Sequence, residues 1–207
     1  MKPSTFGFFR YLGEEGGEYQ IGFVPKTDPT EDQKRRVIEF SKLIHQSDFD
    51  EFEERYEEYL DVDQYLRFLA CNVIVCNLDS FLGGSQNHYI YLDPESNKFQ
   101  FLPWDMDHSF GAFHMMGDPN ARRRLSIDRP VTDNPPIIDR VLQVSGNKEK
   151  YHAYIEEYIN TIFDESVMLK KIESIGSFVR AVANLNGSDA ESKSEQGWAD
   201  DPSVVEQ

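Results

Sequence analysis

The stretch from residue 77 to 111, NLDSFLGGSQNHYIYLDPESNKFQFLPWDMDHSFG, restricts this chain more than any other part of it. Two β-rich runs, HYIYL (88–92) and KFQFLP (98–103), flank the turn sequence DPESN and specify a hairpin. Polar residues bracket the hairpin: Asp79 and Asn87 before it, Asp105 and Asp107 after it. An acid, then an amide, then a further acid around a strand pair is a layout for Mg-nucleotide chemistry. In protein kinases the first group orients the attacking hydroxyl, and the other two hold the metal. Here Asp79 takes the first place, Asn87 the second and Asp105 the third. The amide oxygen of Asn87 suits Mg²⁺, which prefers oxygen ligands at about 2.1 Å. If 105–107 is extended, Asp107 shares a face with Asp105. Two carboxylates there repel unless a cation or proton lies between them, so Asp107 is read as a second ligand or positioner. Each residue also has a plain structural use: Asp79 at a helix end, Asn87 as a turn cap, and Asp105 with Asp107 as an Asx-turn pair.

The charge balance narrows the partners. At 207 residues and 39% hydrophobic, the chain is one domain or one large lobe with a substantial core. Its formal net charge is −16, which disfavours nonspecific nucleic-acid binding and docking on an anionic membrane. Cys71 and Cys76 lie five apart in an apolar run read as helix. That is about 500° of rotation, so they face different ways and are expected as buried free thiols. His88, His108 and His114 have no zinc-site spacing. Residues 1–25 lack a basic segment followed by a long apolar core, so no signal peptide is read there. No stretch reaches the roughly 20 apolar residues of a membrane-spanning helix.

Along the chain, residues 6–11 and 19–25 read as strands around the Gly-rich turn EEGGE. Thr30 opens a helix with the capping box TEDQ. A second helix covers 48–60. Asp61 caps a third that runs to about Asn77, and its all-round apolarity from Phe68 to Val75 marks it as central. After the hairpin, 112–134 is polar and irregular. Pro135 or Pro136 opens a short helix ending near Val144, and two more span about 147–163 and 165–184. From Gly187 the chain is acidic and nearly free of aliphatics, so it is expected to be disordered. Trp104 and Phe110 are read as packing around the loop. Arg122, Arg123 and Arg124 lie in the loop after PWDMD, where they face solvent or pair with phosphate.

Three segments together resemble the CotH kinase family of atypical kinases. NLD at 77–79, QNHYIYL at 86–92 and FQFLPWDMDHSFG at 99–111 match its N-x-D, H/S-N-Y-Y-L-Y and F-x-F-I-P-W-D-L-D-x-x-F-G signature. KPSTFGFFRY at 2–11 is similar to its K-P-E-x-x-G segment, and NPPIIDRVLQVSGNKEKYHAYIEEYI at 134–159 to its N-P-L-I-x-R-L-L helical region. There are two departures. His88 replaces an aromatic residue, and SFLGGSQ lacks the Arg-His pair common after the acid. The resemblance implies an α+β, atypical protein-kinase-like fold: mainly the helical C-lobe with a catalytic β-hairpin and a remnant of the N-lobe. That domain spans 1–186, followed by a disordered tail at 187–207. It further implies ATP- and Mg-dependent transfer of phosphate to Ser or Thr of a protein, with Asp79 catalytic and Asn87, Asp105 and Asp107 toward nucleotide and metal. No upstream strand lysine or partnering helix glutamate is visible, so the chain reads as N-terminally truncated. The alternatives are a pseudokinase-like binding or structural protein without a complete nucleotide site, and a metal-dependent hydrolase using the same acids. As written the chain reads as cytoplasmic, or as exported or cell-surface if a signal peptide lies upstream.

Overall fold

The computed structural model describes residues 1–3, 9–15, 19, 23–84, 86–114, 118, 120, 122, 124–129 and 136–185. Three helices follow one another from residue 31, each with a side-chain cap at its start. In α1 (Glu31–Gln46) the Thr30 hydroxyl accepts from the Gln33 N–H, and the Gln33 side chain accepts from the Thr30 N–H at 3.0 Å, which completes the capping box. In α2 (Phe49–Tyr59) Asp48 accepts from the Glu51 N–H at 2.9 Å. In α3 (Val62–Ile74) Asp61 accepts from the Gln64 N–H at 3.2 Å. Each such cap stabilises its helix by about 1 kcal/mol. Helix α3 buries Tyr65, Leu66, Phe68, Leu69, Ala70 and Asn72, which lie around more than one face, as its apolar sequence predicts. It stops at Ile74, three residues short of the expected end. Cys71 and Cys76 are free thiols, as expected, but both are half-buried rather than buried.

The hairpin forms as read. Strands β3 (His88–Leu92) and β4 (Phe99–Pro103) pair antiparallel, with His88 opposite Pro103 and Leu92 opposite Phe99. Alternation puts His88, Ile90, Phe99 and Phe101 in the core and leaves Tyr91 and Leu102 exposed. Both edges are occupied. On the β3 edge, the Met1 nitrogen donates to the Ile90 carbonyl at 2.7 Å and the Met1 carbonyl accepts from the Ile90 N–H at 2.9 Å. The β4 edge is covered by a side chain acting as a strand. The Phe101 N–H donates to Gln64 Oε1 at 2.8 Å, and Gln64 Nε2 donates to the Phe101 carbonyl. Just before it, the Asp61 N–H donates to the Phe99 carbonyl at 3.0 Å. Gln64→Leu would leave the Phe101 N–H and C=O unpaired beside the core. Each lost partner costs about 1–3 kcal/mol, so urea denaturation should show a destabilisation of about 2–6 kcal/mol. An unchanged midpoint would mean that water replaces both bonds.

Two strand expectations fail near the N-terminus. Residues 9–11 are not strand, and Phe9 has φ 38°. Residues 6–8 lie outside the described set. Phe9 instead plugs the core, with ring centroids 4.8 Å from Phe40 and 5.0 Å from Phe99. The strand pairing is taken by the two-residue β1 (Lys2–Pro3) and β2 (Phe23–Val24), with Lys2 opposite Val24. Of the expected 19–25 strand, Tyr19 is helical, Phe23 and Val24 are strand, and 20–22 lie outside the described residues.

After the hairpin come α4 (Pro136–Gln143), α5 (Asn147–Asn160) and α6 (Glu165–Leu185). Arg140 of α4 ties the C-terminal end of α1 in place. Its guanidinium donates to the Ile44 carbonyl at 2.7 Å and the Ser47 carbonyl at 2.9 Å, and lies 4.5 Å over the Phe52 ring. It thereby serves carbonyls that a helix end leaves unpaired. The chain forms two compact units, residues 1–157 and 158–207. The described part of the second is mainly α6, capped by Asp164, whose carboxylate accepts from the Ser166 N–H at 3.0 Å. No described helix is long and apolar enough to cross a membrane. The expected tail at 187–207 lies outside the described residues.

Candidate functional site

The site begins where α3 ends. Cys76 takes a left-handed conformation, φ 47°, and turns the chain back so that residues 77–82 run through the core. Two backbone bonds then join this segment to the one after the hairpin. The Phe110 N–H donates to the Val75 carbonyl, and the Gly111 N–H to the Cys76 carbonyl at 3.2 Å. Gly111, at φ 74°, supplies a conformation that other residues adopt only at a cost. The chain just before Asp79 is thus clipped to the chain just after Asp107.

Asp79 is buried, at 9% exposure, and is held at two points. Gln86 Nε2 donates to its Oδ1 at 2.7 Å. Asn87 Nδ2 donates to its backbone carbonyl at 2.7 Å. With its nitrogen so engaged, Asn87 has its amide oxygen left for a cation. Asn87 and Asp105 both have φ 53°, a left-handed conformation that Asn and Asp adopt more readily than other non-glycine residues. The Trp104 N–H donates to the Asn87 carbonyl at 3.2 Å, so Asp105 follows directly from a residue bonded to Asn87. The chain at Asp79, Asn87 and Asp105 therefore meets at one end of the hairpin.

Other expectations need correction. Residues 105–107 are not extended, because Asp105 is left-handed, so the shared face expected for Asp105 and Asp107 does not arise. Among the described residues no three Asp, Glu, His or Cys side chains gather closely enough to hold a metal. Asp79, Asp105 and Asp107 thus form no three-carboxylate centre. The donors that remain, an amide oxygen and one carboxylate, still fit Mg²⁺, which commonly takes one or two carboxylates and completes its shell with phosphate and water. Trp104 and Phe110 are exposed, at 50% and 57%, rather than packed in the core. The backbone clip fixes their chain without burying their rings, and Trp104 stands edge-on to Tyr89 at 5.2 Å. Arg122 is buried and Arg124 exposed, while Arg123 lies outside the described residues. Asn77 and Ser109 flank the clip. The Asn77 amide and the Ser109 hydroxyl are buried without a hydrogen-bond partner among the described residues, which is uncommon in folded proteins.

His88 fills the place of an aromatic residue. Its ring stacks on Phe101 at 5.7 Å and 13°, and stands edge-on to Phe81 at 5.2 Å and 80°. Burial pushes its pKa down from 6.5 to about 4, so the neutral ring predominates at pH 7. Nδ1 lies 3.1 Å from the Gln86 carbonyl. A carbonyl only accepts, so Nδ1 carries the proton. Sequence reasoning missed Gln86; its one signal was its place immediately before Asn87.

A family described as CotH kinase protein matches residues 11–207. The chain belongs to this family. Among curated relatives, the CotH chain is 25% identical over 193 residues to Invasin CotH7 of Rhizopus delemar, covering 86% of this chain and 30% of that protein. It is 25% identical over 161 residues to Inner spore coat protein H of Bacillus subtilis, covering 78% of this chain and 42% of that protein. Against Invasin CotH3 of Rhizopus delemar the figures are 24% over 127 residues, 60% of this chain and 21% of that protein. The CotH chain thus spans less than half the length of these relatives.

Proposed function

We propose that this CotH chain is part of an atypical protein kinase that transfers the γ-phosphoryl group of Mg-ATP to a Ser or Thr hydroxyl of a protein. The fold in this reading is kinase-like: the helices α1–α5 carry a catalytic hairpin with Asp79, Asn87 and Asp105 at its base. The observation that supports it most is the bond from Asn87 Nδ2 to the Asp79 carbonyl. It fixes the amide beside the acid and leaves the amide oxygen for a cation. Asp79 accepts a hydrogen bond from the acceptor hydroxyl and aims its oxygen at phosphorus. Asn87 and Asp105 would hold Mg²⁺, which supplies charge neutralisation for the phosphates. Asp107, exposed two residues after Asp105, would serve as a second ligand or positioner. The names of the relatives, invasins and a spore coat protein, favour a coat or cell-surface protein as the acceptor.

The second reading is a binding protein that keeps this lobe without the chemistry. The absence of a three-carboxylate group among the described residues favours it. Thermal scans with and without Mg-ATP separate the two. A ligand at ten times its dissociation constant adds about 1.4 kcal/mol to stability. For a chain of this size that raises the melting temperature by roughly 3–6 °C. We expect such a rise in the parent and its loss in Asp105→Ala. No rise in the parent, or an equal rise in Asp105→Ala, counts against the site.

A further inference from the structure

Phosphoryl transfer as outlined leaves Gln86 without a role. Yet among the described residues Gln86 makes the hydrogen bond to the Asp79 carboxylate, Nε2 to Oδ1 at 2.7 Å. A carboxylate turns easily about its last torsion, because an sp³–sp² bond has a broad well. One donor on one oxygen fixes that rotation and directs the other oxygen. A neutral amide does this without cancelling the charge that the acceptor hydroxyl needs to meet.

The chain around Gln86 is built to hold this donor still. The carbonyl of Gln86 accepts from His88, whose ring is buried between Phe101 and Phe81. Asn87 takes φ 53° and places its own amide on the Asp79 backbone. Three successive residues therefore act on one acid: Gln86 on its carboxylate, Asn87 on its carbonyl, His88 on the loop that carries both.

We propose that Gln86 is a positioning residue that fixes the rotation of the Asp79 carboxylate and presents Oδ2 to the acceptor hydroxyl. This rests on the phosphoryl-transfer reading. Misplacing a reacting group by about 1 Å can cost on the order of 10²-fold in rate, so a lost rotational anchor should appear in turnover. A purely structural Gln86 would only satisfy a buried acid, and its loss would lower stability without changing the rate per folded molecule.

Gln86→Met keeps the length of the side chain and removes the donor, whereas Gln86→His keeps an N–H donor. Labelled-phosphate transfer by the full chain should show kcat reduced by roughly 10- to 100-fold in Gln86→Met, with KM for Mg-ATP within about twofold of the parent. Gln86→His should restore most of that loss. Parent-like kcat in folded Gln86→Met, or equal losses in both variants, overturns the proposal. A full-length parent, N-lobe included, that transfers no phosphate defeats the kinase reading instead. The fixing of Asp79 is then decided by NMR of the ¹⁵N-labelled Gln86 side chain. One amide proton should lie well downfield of its partner in the parent, and the two should converge in Asp79→Leu. A Gln86 signal unchanged by Asp79→Leu overturns the proposal without reference to activity.

Discussion

In a full-length form that includes the N-lobe, Asp79→Asn should slow phosphoryl transfer by roughly 10²–10⁴-fold, the range for a positioned acid–base group, with Mg-ATP affinity nearly unchanged. The substitution is close to isosteric. An asparagine oxygen can still accept from Gln86, and the residue 79 carbonyl still accepts from Asn87. What disappears is the charged oxygen that, in the proposed role, meets the acceptor hydroxyl. That interaction matters in the transition state far more than in nucleotide binding, so the loss should fall on kcat. Asp105→Asn should behave differently. In the proposed role it would remove charge from a Mg²⁺ ligand that acts in both states, and should weaken Mg-ATP binding and turnover together. Labelled-phosphate transfer and nucleotide titration, run side by side on each variant, give the comparison. Near-normal transfer by Asp79→Asn would remove it as the catalytic residue and shift weight to the binding-protein reading.

What could be read from the sequence was whatever depends on short-range chemistry. The TEDQ box starts α1 because Thr30 and Gln33 satisfy each other's N–H groups locally. The hairpin follows from two β-rich runs around DPESN, where Asp93 accepts from Ser96 and Asn97 takes φ 55°. The end of α3 was less legible, because it is set by Cys76 at φ 47°, a conformation that a cysteine does not advertise. The same holds for Asn87 and Asp105. Their residue types pointed to a metal site, but their left-handed backbones decide where the side chains go. That is why the expected shared face of Asp105 and Asp107 failed. Gln86 was invisible for a related reason: its partner lies seven residues away, across a turn whose path is fixed by His88 and Asn87. The β1 strand is two residues long and leaves no alternation to read. The aromatic run FGFFRY read as strand, but at its described end Phe9 is taken into the core as a plug. Gln64 resembles any polar residue on a helix, and only the position of β4 makes it a strand edge.

His88 should make stability depend on pH in a window set by its own titration. Burial lowers its pKa from 6.5 to about 4 in the folded chain. Between those values the unfolded chain holds the extra proton and the folded chain does not. Stability therefore falls as pH drops from about 6.5 towards 4, and this contribution is flat above and below that window. The full difference amounts to about 3 kcal/mol, at 1.36 kcal/mol per pH unit. His88→Phe isolates it. Phenylalanine keeps the ring contacts with Phe101 and Phe81 but cannot take a proton, and it loses the bond to the Gln86 carbonyl. At pH 7 the variant should be less stable by about 1 kcal/mol, the usual net value of one hydrogen bond. As pH falls to 4 the parent should lose its advantage and become the less stable of the two, while exposed carboxylates affect both alike. Urea midpoints at pH 7, 6, 5 and 4 measure this directly. A parallel decline of the two proteins would mean that His88 takes its proton inside the fold. In that case the loop holding Gln86 and Asn87 against Asp79 is more open to water than its packing implies.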